Sequence, residues 1–395
     1  MKYKSPPQWL YYLLAMPYFK PGILGVLAGT DLLEQAWDIW RLAAAAAVCV
    51  LYVLHMCRTR RPPSVIMILL AVYLGFVSVG TLVRENNLWQ LCNHVLSIGS
   101  FCMLLELRLR EDAFLAVDML VAPLSVLVSV NFIMECLFPW GMAYGGTYGY
   151  DYNFLGIDNL IPPVLIPYMF LVALHSHMRE GKLDLFAWVM LFISAESLLI
   201  LWSTTGLMGL LVALVFLLFF YGRRFQTWFN YITAMLAGTG LFFGIVLFRL
   251  QNVFAFFIEG VLHKGLSFTG RTDIWDGALR LFLMSPWLGY GLSKNGKIYR
   301  MIKRKYYHAH NIFLELLVEG GIFGLLAYLF MLERAGKQLL LYRKHPIACI
   351  LSAAWMAVMV MTSMEPFLDQ NGLLIYGLIL LSYYVEDLVQ GDTTN

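Results

Sequence analysis

Apolar runs of roughly 18 or more residues recur from one end of this chain to the other, each long enough for a helix to cross a bilayer. Of its 395 residues 60% are hydrophobic and only 13% charged, about half the charge of an ordinary soluble domain. In lipid each backbone N–H and C=O must be satisfied within its own segment, which leaves helices as the credible spanning element. The expected fold is therefore all-α, a polytopic protein forming one integral membrane domain over residues 1–395.

The candidate spans are Trp9–Ala28, Arg41–Cys57, Ser64–Val83, Leu88–Leu107, Phe114–Phe138 and Leu160–His177. They continue as Leu185–Trp202, Thr205–Tyr221, Phe229–Leu250, Ile312–Leu332, Ile347–Ser363 and Leu373–Val389, about twelve helices in all. Pro17 and Pro21 interrupt the first, and with no small-residue cleavage site after it the run is not expected to be a removable signal. The six cysteines follow no recurring spacing and read as small apolar packing groups.

Charge sets the orientation. Arg58, Arg60, Arg61, Arg108, Arg110, Arg179, Lys182, Arg223, Arg224, Arg334, Lys337, Arg343 and Lys344 all fall in alternate connections. Asp31, Glu34, Asp38, Asp151, Asp158, Glu365 and Asp369 lie in the others. Basic loops stay cytoplasmic, so both termini are expected inside a bacterial cell membrane and the acidic loops outside.

One loop breaks that pattern. Residues 251–309 fall on the outer face yet carry Arg271, Arg280, Lys294, Lys297, Arg300, Lys303, Arg304 and Lys305. A long loop is translocated regardless of its charge, so the topology stands. Within it Trp275, Leu279, Leu281, Phe282 and Trp287, interspersed with Asp276 and Arg280, suggest an amphipathic helix at the interface, ended by Pro286, Gly289 and Gly291. The loop closes on Tyr307-His308-Ala309-His310-Asn311 at the mouth of the next helix. A cationic loop with a histidine at a helix start suits an anionic ligand and a hydroxyl to be activated. His308 and His310 also form a possible metal pair, with no third ligand at a clear spacing, and no metal is expected. Glu315, one turn after Asn311, is placed to orient the His310 ring; Arg271 has Asp273 and Asp276 as candidate partners, and Arg249 has Glu196. Glu106, beside Arg108, reads as an interfacial charge, and His94 as a maker of interhelical hydrogen bonds.

Thr269-Gly270-Arg271, Trp275, Pro286, Gly289-x-Gly291, His310-Asn311 and Glu319-Gly320-x-Ile322-x-Gly324, in that order, resemble the signature of the O-antigen ligase and Wzy-type polymerase superfamily, over roughly the last third of the chain. A weaker likeness lies in Trp202-Ser203-Thr204-Thr205-Gly206, where relatives carry an arginine facing a lipid-linked diphosphate and this chain has Thr205 or Leu207. The resemblance implies glycosyl transfer on the outer membrane face, with no metal, nucleotide or other cofactor. A glycan on polyprenyl diphosphate would be the donor and a sugar hydroxyl of a second lipid-linked repeat the acceptor. His310 and Arg271 would be catalytic, as base for the acceptor hydroxyl and clamp on the departing diphosphate. Arg280, Arg249, His308, Asn311, Trp275, Glu315 and Lys305 form the substrate-binding set. Membrane lipids, and a flippase and chain-length regulator of the same pathway, would be the partners; nucleic acid is not expected. The reading is a capsular or exopolysaccharide repeat-unit polymerase, with a ligase using another acceptor as the alternative. A flippase or transporter would predict internal repeats and polar midplane groups, and the polar residues gather in one outer loop instead.

Overall fold

The computed structural model describes residues 6–84, 87–145, 150–249, 271–292, 297–302 and 307–391. Helix α1 (Gln8–Ala15) passes into a 3-10 turn and is followed by α2 (Asp31–Thr59), α3 (Val65–Val83), α4 (Leu88–Glu111) and α5 (Ala113–Leu137). A small antiparallel hairpin, β1 (Ala143–Gly145) with β2 (Tyr150–Tyr152), precedes α6 (Pro162–Glu180), α7 (Leu185–Leu201), α8 (Thr204–Val215) and α9 (Tyr231–Leu241). Helices α8 and α9 each end in a π turn, reaching Phe220 and Leu247. Then come α10 (Arg271–Met284), α11 (Lys297–Arg300), α12 (Ile312–Leu341), α13 (Pro346–Thr362), α14 (Leu373–Tyr383) and α15 (Val385–Gln390).

The chain is a multi-pass membrane protein built of helices. Five of them, α2, α3, α4, α5 and α12, are long and apolar enough to cross a membrane, and shorter apolar helices accompany them. Side-chain caps fix several boundaries: Ser64, Asn87, Asp112 and Asp184 each accept a backbone N–H from the first turn that follows. The first expected span is different. Its helix stops at Ala15, where Met16-Pro17-Tyr18 tightens into the 3-10 turn. The segment still traverses the bundle. Gln8 bonds Leu115 O at the start of α5, while the amides of Gly22 and Ile23 donate to Leu155 O and Phe154 O, beyond the end of α5.

Both chain ends lie at one end of the bundle. Arg108 Nη2 donates to Gln8 Oε1 at 2.7 Å and Arg110 Nε to Tyr384 at 2.9 Å. Between them sits Glu106, fully buried, not the interfacial charge its neighbour Arg108 suggests. It accepts from Arg110 at 2.7 Å, Tyr384 at 2.8 Å, the Ser64 amide at 3.0 Å and Tyr52, so one carboxylate joins α2, α3, α4 and the C-terminal helices. A buried charge is tolerated on such terms only when its lone pairs are filled.

At the opposite end α12 breaks. Gly321 takes φ +61° and ψ −162° inside it, freeing backbone groups of the turns on either side. The turn after α10 fills them: Tyr290 N donates to Val318 O, Gly291 N to Glu319 O, and Ile322 N to Pro286 O, all at 2.8 Å. Contact is too close for side chains. A Cβ on Gly289 would lie 2.6 Å from Gly321 N, and one on Gly291 2.1 Å from Thr81 N of α3. Thr81 Oγ1 accepts Leu292 N at 2.9 Å, so α3, α12 and this turn are held as one body. Gly289 and Gly321 are therefore required by one mutual backbone approach, and Gly291 by the approach to α3.

Candidate active site

Helix α10 enters the protein where an interfacial amphipathic helix was expected. Trp275, Ala278 and Leu281 are fully buried against Val246, Tyr290, Tyr299, Leu314 and Val318, while Leu283, Met284 and Trp287 stay exposed. That docking sets Arg271, the first residue of α10, beside the start of α12.

The α12 start is built with care. Asn311, fully buried, caps it by accepting Phe313 N at 3.0 Å and Leu314 N at 3.2 Å. Its Nδ2 donates to Ser363 O at 3.1 Å, tying this cap to the end of α13. His310 precedes it at φ +49°, a backbone conformation that costs energy for a non-glycine residue and that gathers at functional sites. Two residues beyond Ser363 stands Glu365, only 4% exposed.

Glu365 is the hub. Its Oε1 lies 2.8 Å from His310 Nδ1 and 2.9 Å from Arg271 Nη2, and its Oε2 3.8 Å from His308 Nδ1. Burial pushes this carboxyl up, but the His310 hydrogen bond and the charges of His310, His308 and Arg271 outweigh it, holding the group below the usual carboxylate range. An ionised carboxylate only accepts, so the hydrogen on His310 lies at Nδ1 and, in the neutral ring, Nε2 carries the lone pair. That is the arrangement of a general base. His308 lies beside it with its ring tilted by 53°, centroids 4.0 Å apart; burial first and then the neighbouring His310 lower it to about 4, against the pull of Glu365.

Glu365 also supplies the third donor that the His308–His310 pair lacks in sequence. Ligand atoms of the three lie within 4.8 Å of one another and could hold a cation. Two N–H donors already converge on Oε1, however, and the Arg271 guanidinium opposes a second positive charge there.

Several other expectations shift. Glu315 does not orient His310; it accepts the Ala309 amide and Tyr299 Oη, the latter at 3.3 Å, and so fixes the backbone leading to the histidine. Arg271 bonds Glu365, while Asp276 is taken by Arg249 at 2.5 Å. Arg249 also donates to Thr272 O at 3.2 Å and lies 5.2 Å over the Trp275 ring; its Nη1 is buried with no partner among the described residues. Trp275 is thus a core residue carrying a cation, not a surface for sugar, and Glu196 is not what Arg249 reaches. Arg280 is exposed on α10, on the same helix as Arg271 but outside the cluster. Lys305, with Lys303 and Arg304, lies outside the described residues. Ser203 Oγ donates to Asn159 Oδ1 at 2.9 Å, so the connection between α7 and α8 is bound to the turn before α6. Glu365 is the residue sequence reasoning missed. It registered only as one acid in an outer connection, and its one local signal is a charge beside Pro366 among apolar neighbours.

Beneath the cluster lies a cavity of about 310 Å³, bounded by α4, α11, α12 and the segment from Glu365 to Asp369. His308 and Glu365 are among the residues that line it.

Residues 189–329 match the family model described as O-Antigen ligase, so the family region begins upstream of the motif signature, in α7. A stretch of 154 residues is 32% identical to an O-antigen ligase of Pseudomonas aeruginosa, covering 39% of this chain and 34% of that protein. The chain carries an O-antigen ligase family domain and is distantly homologous to O-antigen ligase; the match spans about a third of the length of that curated relative.

Proposed function

We propose that this protein is a metal-independent inverting glycosyltransferase, moving glycan from a polyprenyl diphosphate donor to a sugar hydroxyl at the outer face of the bacterial cytoplasmic membrane. The observation that carries this reading is the pairing of His310 with buried Glu365, alongside Arg271 on the same oxygen. His310 Nε2 takes the proton of the acceptor hydroxyl as its oxygen bonds the anomeric carbon. The bond from that carbon to the diphosphate oxygen breaks, and the electron pair leaves with the diphosphate. A guanidinium has five donors, so Arg271 engages Glu365 through Nη2 and still presents a fork to the leaving oxygens. Arg249 and Arg280 supply further positive charge from the α9 end and α10. A diphosphate is already a good leaving group, so positioning and charge stabilisation suffice.

The orientation rests on the basic connections, which lie at the end of the bundle holding both chain ends, opposite the site. Basic loops stay cytoplasmic, so both termini are inside and the site is outside. The break in α12 is filled by the turn at Tyr290 and Gly291, which speaks for a fixed scaffold and not for a transport path.

Within this chemistry the acceptor is a second lipid-linked repeat, making the protein a repeat-unit polymerase for capsule or exopolysaccharide. The second reading, a ligase passing glycan to another acceptor, is favoured by the relative's description as an O-antigen ligase. Purified protein given polyprenyl-diphosphate repeat units, without metal or nucleotide sugar, should yield a ladder of longer lipid-linked glycans, lost in His310→Ala and Arg271→Ala. Donor consumption only when a different acceptor is supplied would establish the ligase. No product from folded protein and authentic substrate would overturn both.

A further inference from the structure

The cavity beneath the cluster has a chemical character opposite to that of the basic loop. No lysine or arginine is among the described residues that line it, whereas Glu315, Glu319, Glu365 and Asp369 all do. Three of its lining groups, His94 Nε2, Gln90 Oε1 and Glu319 Oε2, are buried with no hydrogen-bond partner among the described residues. His94 is only 4% exposed, on α4, far in sequence from the loop. A buried polar atom left unmatched costs about 1–3 kcal/mol. Three of them facing one cavity mark a place where a ligand completes the bonding.

The missing ligand is rich in donors, because Gln90 Oε1 and the carboxyl oxygens accept. An anion is disfavoured, because the described lining residues offer carboxyls and no lysine or arginine. It is small, since about 310 Å³ stands at the low end of pockets that bury a ligand of roughly 300–1,000 Å³. Tyr299 and Leu292 add the apolar surface that a sugar ring covers with its C–H face. His308 and Glu365, both in contact with the base His310, are among the residues that line it.

We propose that this cavity is a subsite for one neutral or amino-bearing hexopyranose ring, held through its O–H and N–H donors by His94, Gln90 and Glu319, and that it rejects uronic and other acidic sugars. It deepens the glycosyl-transfer reading and rests on it: the ring is a sugar of the substrate next to the reacting hydroxyl, and the diphosphate lies outside, on the arginines. The division of labour follows from charge. An anion meets carboxyls and no lysine or arginine among the described residues that bind hydroxyls.

Saturation-transfer NMR on the full-length protein in detergent micelles tests this with methyl glucoside, glucosamine and glucuronic acid as probes. Signals are expected from the first two and none from glucuronic acid. His94→Leu and the isosteric Glu319→Gln should each weaken binding by about two- to tenfold, the worth of one hydrogen bond. His310 does not line the cavity, so His310→Ala should keep the sugar signal while losing glycosyl transfer. Retained melting temperature shows that each variant is folded, and Glu319→Gln keeps the test open if His94→Leu is not. Equal signal from glucuronic acid, no signal from any sugar, or binding indifferent to both cavity variants would overturn the subsite. Loss of sugar binding with transfer intact likewise defeats the cavity alone. Sugar binding intact in a protein that transfers nothing defeats the reaction alone.

Discussion

His310 Nδ1 and Glu365 Oε1 meet at 2.8 Å across 55 residues of sequence, so the carboxylate at the end of one helix pair fixes the tautomer of a histidine at the start of another. Removing such an orienting partner typically costs about 10–100-fold. Glu365→Gln should lower the initial rate of lipid-linked glycan extension by about that factor with the protein still folded. A wild-type rate in Glu365→Gln would remove Glu365 from the mechanism.

Arg271 joins the same oxygen from α10. Lysine keeps the charge and loses the planar fork, and hydrogen bonds to charged groups are worth about 1.5–3 kcal/mol. Arg271→Lys should therefore retain folding and lose about tenfold or more in rate, read in the same extension assay. Full activity with lysine would show that point charge alone is sufficient.

The broken helix offers a test of the scaffold. A Cβ on Gly321 would sit 2.4 Å from Trp287 O, at φ +61°, whereas one on Gly324 has nothing nearer than 3.9 Å. Backbone strain of this kind costs about 1–3 kcal/mol before the steric conflict is added. Gly321→Ala should lower the melting temperature in detergent by several degrees and Gly324→Ala should not. Equal melting temperatures would mean that the α12 break is not needed.

His308 and Glu365 each contribute stability that rises with pH on the acid side. His308 sits at about 4 in the folded protein against roughly 6.5 unfolded, so between these values the unfolded chain binds a proton that the folded chain does not. Glu365 acts in the same direction: held below the usual range, its contribution is present above about pH 4.3 and lost as pH falls through its folded value. Asp158 and Asp369, whose carboxyls burial raises, pull the other way, so the contribution of His308 is read as a difference: between pH 4 and about 6.5 the melting temperature of the wild type should gain more than that of His308→Asn. Parallel profiles for the two proteins would contradict this.

Sidedness can be read by chemistry. Trp140, 89% exposed, follows α5 at the site end, and Arg60 follows α2 at the end holding the chain termini. In a cysteine-free background, membrane-impermeant maleimide added to intact cells should label Trp140→Cys and spare Arg60→Cys. The reverse pattern would invert the topology and put the site in the cytoplasm.

Local sequence carried much of this. The expected spans after the first each hold a helix, with close bounds where capping residues such as Ser64, Asn87 and Asp112 act within a few residues of themselves; α2 instead begins at Asp31 and not Arg41, α12 runs on to Leu341 and not Leu332, and the last expected span divides into α14 and α15. His310 and Arg271 were legible as a histidine at a helix start and an arginine in a basic loop. The Gly289-x-Gly291 and Glu319-to-Gly324 motifs were legible too, but not that Gly289 and Gly321 each occupy the space a side chain on the other segment would need, nor that Gly291 lies against Thr81 of α3.

What the sequence by itself determined is a multi-pass helical protein, since hydrophobic length and charge are properties of segments. Only the tertiary structure decided that Glu365 and not Glu315 holds His310, that Trp275 is core, and that Glu106 is buried. It also decided that His94 faces a cavity with Glu319. These are pairings between helices distant in the chain. A carboxylate's partner is set by which helix ends pack together, and that choice is made by the whole bundle, not by any residue's neighbours in sequence.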